Sequence, residues 1–313
     1  MNNTRTLKDF VGQGPVIEAL QIACTAATRE RKVLPHMLFS GPPGLGKTTV
    51  AQAVANEMKG GFVSRIATAI IKPDDVVSLF CEIDRPNTII FIDEVEQLSR
   101  PITELLHTAL EDHTLTAKVS KRIELIELPD FTMLAATNYP GELPKPFLDR
   151  FQIKLKFSPY SEDEIYAMLF QNAVKGVSGR FTKDALRAIA VRSFGTPRVA
   201  LSYLRQAHDL SVARNNMFNG EFVATRECVE KTFRLLGVDE IGLNGLDRSM
   251  LTAMSEAGQA VGLETLAQMV NEDKSSVEMS EGKLMRLGFV LRTPRGRLIT
   301  DKGRSYVSVG VTA

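Results

Sequence analysis

Gly41-Pro42-Pro43-Gly44-Leu45-Gly46-Lys47-Thr48 carries two glycines, a lysine and a threonine at the spacing of a phosphate-binding loop, G-x-x-x-x-G-K-[ST]. Upstream, Met37-Leu38-Phe39 reads as a buried strand. Downstream, Thr49 to Met58 is mostly good helix formers with a small apolar face. Strand, glycine-rich loop and helix are the context the motif needs. Glycine lets the backbone approach phosphate oxygens, and a helix N-terminus aims free N–H groups and the positive end of its dipole at them. Lys47 is expected to reach the outer phosphates and Thr48 to hold Mg²⁺. At average residue usage the four fixed positions coincide by accident in roughly one chain of this length in a hundred, so with these flanks the motif outweighs a chance turn.

A second signature follows. Thr88-Ile89-Ile90-Phe91-Ile92-Asp93-Glu94 is a continuous apolar run ending in two acids. A strand buried on both faces reads this way, and carboxylates at its C-terminal end sit where ligands bind in an open parallel sheet. Asp93 is expected to support Mg²⁺ and Glu94 to polarise an attacking water. Phe131 to Asn138 is another buried strand, and Asn138 at its end can orient water or meet the outer phosphate. Further elements are expected as helices over Pro15–Arg31, Pro73–Cys81 and Pro101–Asp112, and strands over Gly61–Ile66 and Ile153–Phe157. A hairpin is expected from Leu115–Val119 and Ile123–Leu128, joined by Ser120-Lys121-Arg122. Helices alternating with apolar strands predict an α/β fold, a parallel sheet with helices on both faces, over residues 1–158.

From 159 to 238 only helical patterns are read, predicting a small helical domain. One helix opens Thr196-Pro197-Arg198, with threonine at the N-cap and proline at the first helical position. Arg198 then projects from a first turn, where the dipole disfavours a cation, which hints at an anionic partner. Residues 239–313 read as three helices, the third capped by Ser275 or Ser276, and two strands, Phe289–Arg292 and Arg297–Thr300, around Thr293-Pro294-Arg295-Gly296. That order is a winged helix. Lys283 to Arg304 holds seven basic residues and one acid, with no acid inside the hairpin itself. Arg292, Arg295 and Arg297 are therefore expected to meet DNA phosphates.

The bulk numbers leave this local basic patch as the only charge argument, because the net charge of the 313 residues is +1. Cys24, Cys81 and Cys228 lie far apart and give neither a disulfide framework nor a zinc spacing. The first residues lack the apolar core of a signal peptide, and no apolar run approaches a membrane span. A cytoplasmic protein with no membrane contact is expected.

Taken together, these residues resemble the AAA+ ATPases and, within them, the RuvB family of Holliday-junction branch-migration motors. The resemblance is carried by the loop from Gly41 to Thr49, Phe91-Ile92-Asp93-Glu94, Leu110-Glu111-Asp112, Leu235 to Glu240, Val261 to Ala267 and Arg292-Thr293-Pro294-Arg295-Gly296-Arg297. It implies an AAA+ core, a helical lid and a winged helix. It also implies ATP and Mg²⁺, a homo-hexamer, and duplex or four-way-junction DNA as partner. Gly41, Pro42, Pro43, Gly44, Leu45, Gly46, Lys47, Thr48, Thr49, Phe10 and Val11 would line the nucleotide, with Glu111 and Asp112 near it and near the subunit interface. Asn138 would be sensor 1, Arg198 sensor 2, and Arg150 the finger reaching the neighbouring subunit's ATP. Departures exist. The hairpin between Asp112 and Leu128 is about four residues shorter than the family's and less apolar at its tip, which counts against its RuvA contact. The family's Arg-Pro lead-in before Phe10 is missing. Leu148, Ser158 and Asn138 replace its Arg, Tyr and Thr. Three functions compete: a DNA motor, an AAA+ loader that places another protein on DNA, and a non-enzymatic DNA-binding regulator. The full set Asp93, Glu94, Asn138, Arg150 and Arg198 argues against the last.

Overall fold

Apolar runs without a polar face belong in a sheet covered on both sides. The computed structural model describes residues 5–119, 122–174, 180–218 and 220–310. The chain divides into two units, Met1–Met168 with Thr196–Val199, and Leu169–Gly195 with Ala200–Ala313.

The first unit runs α1 (Gly14–Glu30), β1 (Met37–Ser40), α2 (Lys47–Glu57), β2 (Phe62–Ile66), α3 (Pro73–Cys81), β3 (Thr88–Asp93), α4 (Arg100–Asp112), β4 (Thr114–Val119), β5 (Arg122–Glu127), β6 (Phe131–Thr137), α5 (Lys145–Leu148) and β7 (Ile153–Lys156). Five strands form one parallel sheet in the order β2-β3-β6-β1-β7. The innermost strands are the most apolar: every residue of β6 is buried, and β3 is buried up to Asp93. Ile90, Ile92, Met133 and Ala135 join Leu79, Leu106, Phe147 and Phe151 in one core. β4 and β5 form the expected hairpin as a separate antiparallel pair; Ser120 and Lys121 at its tip lie outside the described residues.

His36 closes the amino end of β1. Its Nδ1 accepts a hydrogen bond from the Met133 N–H at 3.0 Å, and its ring stacks on Phe131 with centroids 5.3 Å apart. Burial, with His113 nearby, pushes its pKa down to about 4.

α6 (Glu162–Val174) and α8 (Pro197–Ala213) contribute residues to both units. The second unit holds about half of α6 and most of α8, with α7 (Lys183–Arg192) and α9 (Arg226–Leu235). The sequence predicts a purely helical region here, and the structure corrects that. β8 (Arg180–Phe181), β9 (Met217–Phe218) and β10 (Glu221–Ala224) form a small sheet in the order β8-β10-β9. Strands of two to four residues are too short for alternation to register. The Asn219-Gly220 dipeptide, a strong hairpin signal, was the clue available.

The remainder is α10 (Gly245–Ala257), α11 (Leu263–Val270), α12 (Lys274–Arg286), β11 (Val290–Thr293), β12 (Gly296–Ile299) and α13 (Asp301–Gly310), the last unanticipated. Leu251, Met254, Leu266, Val277, Leu284, Val290 and Ile299 form its core. α12 starts two or three residues earlier than expected. Asp273 caps it, accepting from the Ser276 N–H at 2.9 Å, and Ser275 and Ser276 lie inside the helix.

The buried imidazole predicts a pH effect. It titrates near 6.5 when unfolded and near 4 when folded, so between these values the unfolded chain binds more protons. Stability is intact above pH 6.5 and falls as the pH drops toward 4, by up to about 3 kcal/mol at ~1.36 kcal/mol per unit. Urea unfolding of the parent and of His36→Gln across this range should show that slope only in the parent.

Candidate functional site

β1, β3 and β6 all deliver their carboxyl ends to one edge of the sheet. β6 lies between the other two, so Asn138 stands between the loop after β1 and the acids after β3. The loop is tied to this edge: the Gly41 N–H donates to Thr137 O at 3.2 Å. A Cβ on Gly41 would stand 2.4 Å from Phe157 O, and Gly44 and Gly46 have φ of 79° and 93°, where side chains are strained. Lys47 is buried. Its Nζ donates to Gly41 O at 2.5 Å, Pro42 O at 3.2 Å and Asn138 Oδ1 at 2.8 Å. Burial lowers the ammonium pKa, Asp93, Glu96 and Glu94 oppose that, and Arg198 adds to it.

Thr48 Oγ1 donates to Asp93 Oδ2 at 3.3 Å. A hydroxyl and a carboxylate are hard oxygens of the kind Mg²⁺ selects. Among the described residues no three His, Cys, Asp or Glu side chains converge as a metal cage. A phosphate-bound Mg²⁺ needs none, since one or two carboxylates plus phosphate oxygens and water suffice. The residues present fit the ion. Glu94 turns away from the strand in the left-handed region, φ 56°, and its N–H donates to Asp93 Oδ1 at 3.0 Å.

Phe10 and Val11 are half-buried, and the two residues after them are held by a clasp. The Gln13 side chain donates to Ser158 O at 2.5 Å and accepts from the Ser158 N–H at 3.2 Å. Tyr160, two residues on, donates to Leu45 O at 3.3 Å, and a Cβ on Gly12 would stand 2.5 Å from its ring. Arg198 arrives at the same loop: its N–H donates to Gly44 O at 3.3 Å and its side chain is exposed.

Arg150, Glu111 and Asp112 lie elsewhere. Arg150 precedes β7, and the Gln152 N–H donates to His36 O, so this group stands at the amino end of the sheet. The loop stands at the carboxyl end, about 13 Å away along a four-residue strand. Arg150 Nε donates to His107 Nε2 at 2.9 Å, and its Nη1 pairs with Glu111 Oε1 at 2.9 Å. Glu111 and Asp112 therefore do not line this chain's own nucleotide loop, as a cis reading of the motif would have it.

The wing corrects another expectation. Arg297 is 8% exposed, and its Nη2 donates to Glu281 Oε2 on α12 at 2.9 Å. Arg292, directly opposite in register, stands with Nε 3.5 Å from Glu281 Oε1, its side chain 59% exposed. Facing arginines would repel, and the buried glutamate offsets this. Of the other basic residues, Lys283 pairs with Asp247, Arg286 donates to Phe194 O, Lys302 to Leu287 O and Arg304 to Ser255 O. Of these basic residues only Arg297 is buried outright; Lys283 and Arg304 are half-buried, Arg286 and Lys302 are exposed while donating to carbonyls, and Arg292 and Arg295 are exposed on the wing itself.

Sequence reading missed Gln13, Glu96, His107, Tyr160 and Glu281. The Asn138 N–H donates to Glu96 Oε1 at 3.1 Å. Its signal was the third acid in Asp93-Glu94-Val95-Glu96.

Two family models match the chain: the Holliday junction DNA helicase RuvB P-loop domain over residues 3–157, and the RuvB C-terminal winged helix domain over residues 240–308. The chain is 36% identical over 308 residues to the Holliday junction branch migration complex subunit RuvB of Wolbachia sp. subsp. Brugia malayi, covering 97% of this chain and 92% of that one. It is 37% identical to the subunit of the same name from Myxococcus xanthus, covering 96% and 88%. Its fold is similar to the Thermotoga maritima RuvB Holliday junction branch migration motor, with TM-score 0.86, 30% identity and 97% of each chain covered.

Removing Glu281 strands Arg297 in the interior. Glu281→Ala should cost about 3–5 kcal/mol, the usual penalty for an unpartnered buried charge. Arg292→Ala, on the exposed side of the same glutamate, should cost under ~1 kcal/mol. Urea unfolding of both variants checks this.

Proposed function

This chain belongs to the RuvB family, and on that premise we propose that it is an ATP-driven motor that moves duplex DNA through four-way junctions as a ring of six subunits. The observation that carries the ATPase reading is the pairing of Lys47 with Asn138 and of Thr48 with Asp93 at the carboxyl edge formed by β1, β6 and β3. When nucleotide enters, Lys47 exchanges the Gly41 and Pro42 carbonyls for outer-phosphate oxygens. Thr48 and Asp93 would hold Mg²⁺, which supplies charge neutralisation at the phosphates when bound. Glu94 polarises a water for attack on the terminal phosphorus, giving ADP and phosphate. Asn138 orients that water, and Arg198 meets the nucleotide from the first turn of α8.

Arg150 acts in trans in this reading, and its place at the sheet's amino end supports that. Phosphoryl transfer builds negative charge, and an added cation there raises the rate about 10³–10⁵-fold. His107 and Glu111 hold the guanidinium ready at its post. The wing grips phosphates through Arg292 and Arg295. The Wolbachia and Myxococcus relatives are subunits of a branch migration complex, which supports a junction-binding RuvA-type partner. Leu125, 69% exposed on β5, offers the short hairpin an apolar contact for it.

The primary test is ATP-dependent separation of a synthetic four-way junction, with and without a RuvA-type protein. Separation that needs hydrolysable ATP is expected. Turnover without separation in either arm would favour a loader.

Arg150→Ala should abolish hydrolysis and leave nucleotide affinity within about threefold. Mixed with Lys47→Ala subunits it should regain turnover, because each supplies what its neighbour lacks. Mixed rings without any regain would place the finger in cis or nowhere.

Arg292→Ala with Arg295→Ala should lower the slope of log affinity against log salt by up to about 1.8, at ~0.9 per phosphate contact. Basal ATPase should stay unchanged. An unchanged slope in a DNA-binding titration would mean that the wing docks protein.

A further inference from the structure

Glu96 carries a half-buried carboxyl group that the roles above leave unused. It lies in the short 3₁₀ turn Val95–Gln97 after β3. The backbone ladder between β3 and β6 ends at Ile92 opposite Ala135, so it stops short of Asn138. Past that point a side chain takes over: Glu96 Oε1 accepts from the Asn138 N–H at 3.1 Å. Asn138 Oδ1 in turn accepts from Lys47 Nζ at 2.8 Å. Glu96 thus stands at the head of a chain of contacts that ends on the phosphate-binding lysine. Its other oxygen, Oε2, is buried with no hydrogen-bond partner among the described residues. Buried polar atoms are nearly always paired, so Oε2 stands out as an acceptor left without a donor. An oxygen so placed is free to accept from a group that arrives with the nucleotide.

Resting on the ATPase reading above, we propose that Glu96 is a positioning residue for hydrolysis, fixing the Asn138 amide where it meets Lys47 and the attacking water. Because the backbone of Asn138 is held from β3 and its side chain from the phosphate loop, its amide has one orientation. The carboxylate also favours the charged form of Lys47, whose pKa burial lowers. Without Glu96, Asn138 keeps its place in the chain and loses its aim. The result should be slow turnover with nucleotide still bound.

A double-mutant cycle tests this in the full-length protein, reading ATP turnover beside the affinity of a fluorescent ATP analogue. Parent turnover, and its loss in Asn138→Ala, test the ATPase reading by themselves. Glu96→Ala should lower kcat at least tenfold with analogue affinity within threefold. Glu96→Gln, which keeps an acceptor for the Asn138 N–H, should return kcat to within threefold of the parent. Glu96→Ala should add under twofold to the loss already present in Asn138→Ala, since a misaimed side chain cannot matter once removed. Should Glu96→Ala fail to fold by its melting curve, Glu96→Ser replaces it, being polar and too short to reach Asn138. The proposal is overturned if the short variant turns over within twofold of the parent, if Gln fails to rescue, if analogue affinity falls with kcat, or if the two losses multiply.

Discussion

The hydrogen bond from Lys47 to Asn138 depends on everything that makes the sheet parallel. Only parallel strands bring the ends of β1, β3 and β6 to one edge, and only burial on both faces lets them read as unbroken apolar runs. The loop glycines, the acids after β3 and the amide after β6 then meet without long-range design beyond strand order. Burial of Lys47 makes its ammonium costly unless partnered, so the carbonyls and the amide around it keep the loop in a phosphate-ready shape.

The large-scale plan was legible because it rests on local rules. Apolar runs ending in Asp93 or Asn138, glycines where φ is positive, and proline after Thr196 each announce their element within a few residues. What stayed hidden involves partners far apart in the chain. Gln13 reads as a polar residue before a helix until it clasps Ser158, 145 residues away. Arg297 reads as a phosphate contact because no acid lies in its hairpin, while Glu281 waits 16 residues upstream on α12. Charge counting along a sequence cannot tell a solvent-facing arginine from one whose partner sits on another element.

The wing shows how a basic patch is distributed between folding and binding. Lys283 and Arg297 pair with buried carboxylates, and Arg286, Lys302 and Arg304 close carbonyls on neighbouring elements. Holding two facing arginines with one glutamate keeps β11 and β12 in register while leaving Arg292 mostly in water. Since Arg292 touches Glu281 only loosely, a phosphate can recruit it without disturbing the buried pair.

The split between Lys47 and Arg150, at opposite ends of one sheet, bears on assembly. If Arg150 acts in trans as proposed, each molecule carries one half of a reaction centre at its head and the other at its tail, and completes it only in a heterologous contact. Such contacts propagate until the rotation closes them into a cycle, and an open chain always ends in one unfinished centre. Turnover per subunit would then rise with protein concentration and level off once cycles close. Dilution alone would act as an off-switch, with no inhibitor and no change in any subunit's fold.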